Sequence, residues 1–124
     1  MSKRILVIED QEDNRRIVRD LLTSVGYEII EAVTGEEGVT AAETHVPDLI
    51  LMDIQLPGLD GYGATRRIKA NAALRHIPII AVTSYALSGD DVKAFEAGCN
   101  GYVSKPFSPR ALLAKIREFL QDTV

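Results

Sequence analysis

Short unbroken apolar runs recur along this chain, and amphipathic stretches fill the intervals between them. Ile5-Leu6-Val7-Ile8, Leu49-Ile50-Leu51-Met52 and Ile77-Pro78-Ile79-Ile80-Ala81-Val82 are rich in branched apolar residues without alternation, the pattern of strands buried on both faces of a parallel sheet. Tyr27-Glu28-Ile29-Ile30-Glu31-Ala32 and Gly101-Tyr102-Val103-Ser104 alternate in part, as strands nearer a sheet edge do, which brings the predicted strands to five. Ile17, Val18, Leu21, Leu22 and Val25 repeat at helical spacing, as do Leu112, Leu113, Ile116, Phe119 and Leu120, so each set predicts an amphipathic helix. Thr34 with Glu37 has capping-box spacing, Ser88 with Asp91 resembles it, and Ser108-Pro109 is a strong helix start. Gly26, Pro47 and Gly98 supply stops. The helix over about 59–70 has the weakest signal, because Gly61 and Gly63 loosen its start and its apolar stripe is thin. Val92 and Phe95, three positions apart, read as packing residues of the fourth helix.

Strand and helix alternate five times without repeat, low-complexity tract or linker, and the last amphipathic segment runs to about Gln121. Right-handed crossovers then place helices on both sheet faces. The expected architecture is α/β, a (βα)₅ doubly wound five-stranded parallel sheet forming one domain over 1–124, with no second folded unit and no output domain.

Composition narrows the class of function. Hydrophobic residues at 46% and charged residues at 26% fit a core-forming domain, and a net charge of −4 gives no long-range attraction to nucleic acid or to an anionic membrane. Protein partners are expected instead. The single cysteine, Cys99, has no internal disulfide partner and reads as a small buried apolar residue, which fits a cytoplasmic setting. No apolar run approaches the ~18 residues of a membrane span.

In an open α/β sheet, ligands bind beyond the carboxyl ends of the strands. Strand 1 ends in Glu9-Asp10, strand 3 in Asp53, strand 4 in Thr83-Ser84 and strand 5 in Lys105-Pro106. Taken singly, each has an ordinary reading: a solvated loop carboxylate, a surface lysine, a threonine bonded to its own backbone. Taken together, they put three carboxylates, two hydroxyls and an ammonium along one edge. Crowded carboxylates repel, and a hard cation relieves that cost. Mg²⁺ suits them, since it favours oxygen ligands and usually takes one or two carboxylates plus phosphate oxygens; Mn²⁺ is a possible substitute. Asp10 and Asp53 would ligate directly, Glu9 directly or through water, and the backbone carbonyl of Gln55 can fill another position. The absence of imidazole and thiolate from the set argues against zinc or copper. A carboxylate can also attack phosphorus, and Asp53, which ends the most apolar strand before the turn Leu56-Pro57-Gly58, is the best candidate. Lys105 would pair with one phosphoryl oxygen, Thr83 would donate its hydroxyl to another, and small Ser84 would let its backbone N–H approach closely.

These pieces, Ile8-Glu9-Asp10, Pro47 through Asp53, Leu56-Pro57 with Gly61, Val82-Thr83-Ser84, Gly98, and Gly101 through Phe107, resemble the response-regulator receiver family, the CheY-like domains, over essentially the whole chain. The resemblance implies a flavodoxin-like strand order of 2-1-3-4-5. It implies an acidic pair at Glu9 and Asp10, a phosphoacceptor at Asp53, a switch hydroxyl at Thr83, an aromatic switch at Tyr102 and a phosphate-binding lysine at Lys105. It implies a sensor histidine kinase or histidine phosphotransfer protein as donor, later self-hydrolysis of the aspartyl phosphate, and otherwise no enzyme activity. It also implies a cis Lys105-Pro106 bond and a readout face made by helix 4, strand 5 and helix 5, which a downstream protein or a second copy would recognise, so that a monomer or a phosphorylation-dependent dimer is expected. Stand-alone receivers, such as the chemotaxis messenger or the DivK-type cell-cycle regulators, are the better comparison. Gln55 and Tyr85 stand where they would tune phosphoryl lifetime.

Two other classes are weighed. A small aspartate-nucleophile phosphatase needs a second aspartate two residues past the nucleophile, where this chain has Gln55. A nucleotide-binding module needs G-x-G-x-x-G after strand 1, where this chain has Glu9-Asp10-Gln11-Glu12. Arg15, Arg16 and Arg19 read as a solvated helix face beside the site with a contact role for the donor as the alternative, Arg66, Arg67 and Lys69 as solvated, and His45 and His76 as surface residues.

Overall fold

A computed structural model describes residues 2–83, 90–105 and 107–121. Strands and helices alternate throughout: β1 (Arg4–Ile8), α1 (Glu12–Ser24), β2 (Glu28–Ala32), α2 (Gly35–His45), β3 (Leu49–Asp53), α3 (Gly61–Ala70), β4 (Ile79–Thr83), α4 (Asp90–Ala97), β5 (Gly101–Ser104) and α5 (Pro109–Leu120). All strand pairs are parallel and the order is β2-β1-β3-β4-β5. The unalternating runs are the inner strands: every residue of β3 and β4 is buried, whereas the partly alternating β2 and β5 lie at the two edges.

The period of two along each strand splits the core in half. Leu6, Ile8, Ile50, Met52, Ile79 and Ala81 face Ala42 of α2, Ala64 and Ile68 of α3 and Ala94 of α4. Ile5, Val7, Leu49, Leu51 and Ile80 face Leu22 of α1 and Leu112, Ile116 and Leu120 of α5. Fully burying each such aliphatic side chain is worth about 1.5–3 kcal/mol, so the sheet is pinned from both sides.

Helix starts follow the capping chemistry. Thr34 Oγ1 accepts the Glu37 amide at 3.0 Å, and Ser108 Oγ accepts the Ala111 amide at 3.0 Å. The glycines that weaken the signal for α3 are offset by a cap: Asp60 Oδ1 accepts the Gly63 amide at 2.8 Å. Ser88, the other expected cap, lies outside the described residues. At the far end of α4, Gly98 takes φ +113°, a left-handed conformation that turns the chain into β5.

Four expectations are corrected. β4 begins at Ile79 rather than Ile77, because Pro78 has no N–H to donate; Ile77 is buried all the same, in a turn closed by its amide on the Leu74 carbonyl. Ile17 and Val25 do not join the buried stripe of α1, being 61% and 39% exposed, since neither turns far enough toward the sheet. Val92 and Phe95 do not pack: they are 54% and 51% exposed while Ala94, on the sheet-facing side of α4, is buried. Lys69 is not a solvated cation. Its ammonium donates to the carbonyls of Arg75 (3.1 Å) and Ile77 (2.7 Å) and to Asn100 Oδ1 (2.9 Å), and burial lowers its pKa.

Candidate metal and phosphoacceptor site

The carboxyl ends of β1, β3, β4 and β5 meet at one edge. The Glu9 amide donates to the Ala32 carbonyl at 3.1 Å, carrying the β1–β2 ladder one residue past β1, and this holds Glu9 at 6% exposure while Asp10 turns out to solvent. Asp53 is the last residue of β3 and is 6% exposed. The next amide, of Ile54, bonds to the Val82 carbonyl at 3.0 Å, so the acceptor is clamped to β4 on its far side. The Gln55 amide donates to Asp53 Oδ1 at 3.1 Å and orients the carboxyl group. Gly61, the first residue of α3, sits so close that a Cβ there would lie 2.4 Å from the Asp53 carbonyl oxygen; only glycine lets α3 begin beside the acceptor.

Thr83 ends β4 and is 2% exposed. Its carbonyl accepts the Lys105 amide at 2.6 Å, so β5 delivers the lysine to the same edge. Lys105 Nζ pairs with Glu9 Oε1 at 2.8 Å. Tyr102 is half-buried on β5 against the α2–α4 side of the core.

One oxygen from each of Glu9, Asp10 and Asp53 lies within 4.8 Å of the others. The consequences for protonation are uneven. Burial, then the hydrogen bond to Glu9 and its negative charge, push Asp53 up to about 7. Asp10 rises in the same sense, through desolvation and its contact with Glu9. Burial also acts to raise Glu9, but its bonds to Lys105, Asp53 and the Gln11 amide outweigh that and hold it below the ordinary carboxylate range. Three carboxylates facing one ammonium carry surplus negative charge, and an all-oxygen set of this kind fits a hard divalent cation such as Mg²⁺.

A cleft of about 450 Å³ opens beside this cluster, between α1 and α5. Asp53 and Lys105 stand at its polar end, and Ile17, Val18, Phe107 and Leu112 line the apolar remainder. This accounts for the exposed Ile17. Arg15 also departs from the solvated reading, because its guanidinium bonds Glu31 and the carbonyl of Glu9. Glu31 is close only once β2 lies beside β1, a juxtaposition that helical periodicity does not reveal. Ser84, Tyr85 and Pro106, with the Lys105-Pro106 bond expected to be cis, lie outside the described residues.

A parallel five-stranded sheet with an acidic triad, a threonine and a lysine at its carboxyl edge defines a receiver, and the chain belongs to the response regulator receiver family: the model of the response regulator receiver domain matches residues 5–117. Among named relatives, the polar-differentiation response regulator DivK of Brucella ovis is 43% identical over 122 residues, covering 98% of this chain and 99% of that protein. The receiver domain of a Pseudomonas aeruginosa sensor histidine kinase, solved with a magnesium ion coordinated in its active site cleft, superposes with a TM-score of 0.91 at 38% identity and covers 98% of this chain and 100% of that one. A CheY-like receiver domain protein from Methanospirillum hungatei gives 0.89 at 35% identity, covering 98% of this chain and 95% of that one. The chain is therefore a two-component signalling receiver similar to DivK, and the phosphatase reading gains nothing from these likenesses.

Proposed function

We propose that Asp53 accepts a phosphoryl group from a phosphohistidine on a sensor kinase or phosphotransfer protein, with Mg²⁺ held by Asp10, Asp53, Glu9 and the Gln55 carbonyl. One observation carries the reading: Asp53 is 6% exposed at a strand end, yet shares a 4.8 Å cluster with two further carboxylates beside the Lys105 ammonium. Nothing in the packing calls for such a concentration of charge.

When bound, the cation would neutralise the carboxylates and the incoming phosphoryl oxygens. The chain's own groups do the rest. Asp53, relieved of its proton, attacks phosphorus as the bond to the donor nitrogen breaks. Lys105 leaves Glu9 for a phosphoryl oxygen, the Thr83 hydroxyl and the Ser84 amide bind others, and water later hydrolyses the acyl phosphate. The domain would catalyse its own phosphorylation and dephosphorylation and no other reaction.

The cleft between α1 and α5 suits the donor, because Ile17 and Phe107 offer an apolar seat next to Asp53 while Arg16 stays in solvent at 57% exposure. For the readout, Thr83 would move toward the phosphoryl group and Tyr102 would fill the space it leaves, biasing an existing equilibrium. The face of α4, β5 and α5 would then change for a downstream protein or a second copy, and exposed Val92 and Phe95 supply its apolar content. With a net charge of −4, and no described helix long and apolar enough to cross a membrane, a cytoplasmic protein acting through protein contacts is the reading we favour over nucleic-acid or membrane binding.

Incubation with Mg²⁺ and acetyl phosphate, followed by intact mass, tests the acceptor. A phosphoryl-sized adduct is expected on the natural chain and not on Asp53→Asn. The reading fails if no adduct forms, or if the Asn variant acquires one at the same rate.

A further inference from the structure

The first half of α1 carries a guanidinium that reaches back to the strand end it follows. Arg15 Nη1 donates to the carbonyl oxygen of Glu9 at 3.1 Å, and Arg15 Nε donates to Glu31 Oε1 on β2 at 3.1 Å. Arg19 Nη1 meets the same Glu31 carboxylate at 3.4 Å. The Arg15 side chain is only 16% exposed, against 57% for Arg16 one position on, so it is a held group rather than a surface charge.

The held atom matters. Glu9 contributes its amide to the Ala32 carbonyl and its side chain to Lys105, which leaves the peptide between Glu9 and Asp10 as the joint from which Asp10 swings. Arg15 grips that peptide by its oxygen. Asp10 itself is exposed, and apart from its contact with Glu9 its direction follows from that peptide. A free guanidinium this close would repel a divalent cation, but Glu31 compensates the charge and leaves the geometric effect.

We infer that Arg15, neutralised by Glu31, is a positioning residue that orients the Glu9–Asp10 peptide and thereby presents the acidic pair to the cation; this rests on the proposed Mg²⁺ site. Groups that orient metal ligands from behind commonly change affinity by about 10–100-fold when removed. The planar fork is essential, because one arm holds the carbonyl while another holds the carboxylate.

The test measures Mg²⁺ affinity of the full chain by calorimetry, alongside the Glu9 carbonyl ¹³C and Asp10 amide resonances of the metal-free protein. Arg15→Gln is expected to weaken Mg²⁺ binding about 10-fold and to shift both resonances. Arg15→Lys, whose compact ammonium lacks the separated nitrogens of the planar fork, should remain weakened, and Arg19→Gln should bind within about twofold of the natural chain. A lowered melting temperature with unchanged Mg²⁺ affinity would make Arg15 a mere staple between α1 and β2 and overturn the inference. Full recovery by Arg15→Lys overturns it too. If Arg15→Gln does not fold, Glu31→Gln takes its place: it leaves Arg15 unneutralised and free to turn, so weaker binding with a shifted Glu9 carbonyl supports the inference, whereas weaker binding with an unshifted carbonyl is charge repulsion alone and overturns it, as unchanged values do. A natural chain that binds no Mg²⁺ sinks the metal site as well, which separates the two failures.

Discussion

Two lysines, Lys69 and Lys105, sit at opposite ends of the same sheet and make opposite use of an ammonium group. Lys69, in the last turn of α3, spends its three protons on three neutral oxygens from the segment before β4 and the start of β5. The acceptors match the donors, carbonyl and amide dipoles solvate the ammonium in place of water, and the result is a fixed corner. Lys105 instead faces a cluster of three carboxylates and pairs with Glu9. There the carboxylates outnumber the ammonium, and on the proposed function a cation and an anionic group would complete the site. The contrast shows how one residue type serves as mortar where its hydrogen bonds are complete and as machinery where the surrounding charge is not.

The largest effect should come from the unbalanced end. Lys105→Ala is expected to slow phosphoryl uptake from acetyl phosphate at saturating Mg²⁺ by about 10²-fold or more, roughly 2.7 kcal/mol, while the Mg²⁺-loaded protein melts close to the natural one. Uptake within tenfold of the natural rate would erase the distinction between the lysines. Next comes the balanced end. Lys69→Met takes the lysine donor from the Ile77 carbonyl, while Asn100 Oδ1 keeps the Ile79 amide, and should cost about 2 kcal/mol in urea unfolding, with Mg²⁺ affinity within about twofold. A loss under about 0.5 kcal/mol would reduce its bonds to surface contacts.

A further effect concerns protons. Asp53 has an ordinary value of 3.8 and is raised to about 7 in the metal-free fold, so between those pH values the folded state binds more protons than the unfolded one. Stability of the metal-free protein should therefore fall as pH rises from about 4 to about 7 and level off above. Asp53→Asn, neutral throughout, should flatten this slope and melt several degrees higher at pH 7.5, and saturating Mg²⁺ should weaken it in the natural protein. Parallel melting curves for the Asn variant and the natural chain across that range would show that the carboxyl cluster does not carry the strain assigned to it.

How far the sequence leads depends on whether a feature is local. The run Leu49 through Met52 is local, so β3 and the placement of Asp53 at its end are legible, and the same holds for Glu9-Asp10 after β1 and Lys105 after β5. Lys69 is the opposite case: its acceptors lie six, eight and thirty-one positions away, and no window of the sequence joins them. Arg15 fails for a related reason, since Glu31 reaches it only across the β1–β2 pairing. Ile17 and Phe95 have the spacing of core residues, but a stripe says which face is apolar, not how much of it a neighbour covers. Asp60 is legible in principle, as a carboxylate three residues before the amide it caps, but Gly61 and Gly63 mask the helix start that it marks.

The division of the core into two halves has a consequence for traffic. The cleft beside Asp53 opens between α1 and α5, on one side of the sheet, whereas Val92 and Phe95 project from α4 on the other. A donor seated in the first and a reader seated on the second would touch at most along α5. On the function proposed above, loading and reading would then proceed at the same time on one molecule, and the duration of a message would be set by the acyl phosphate bond rather than by a queue for a shared surface.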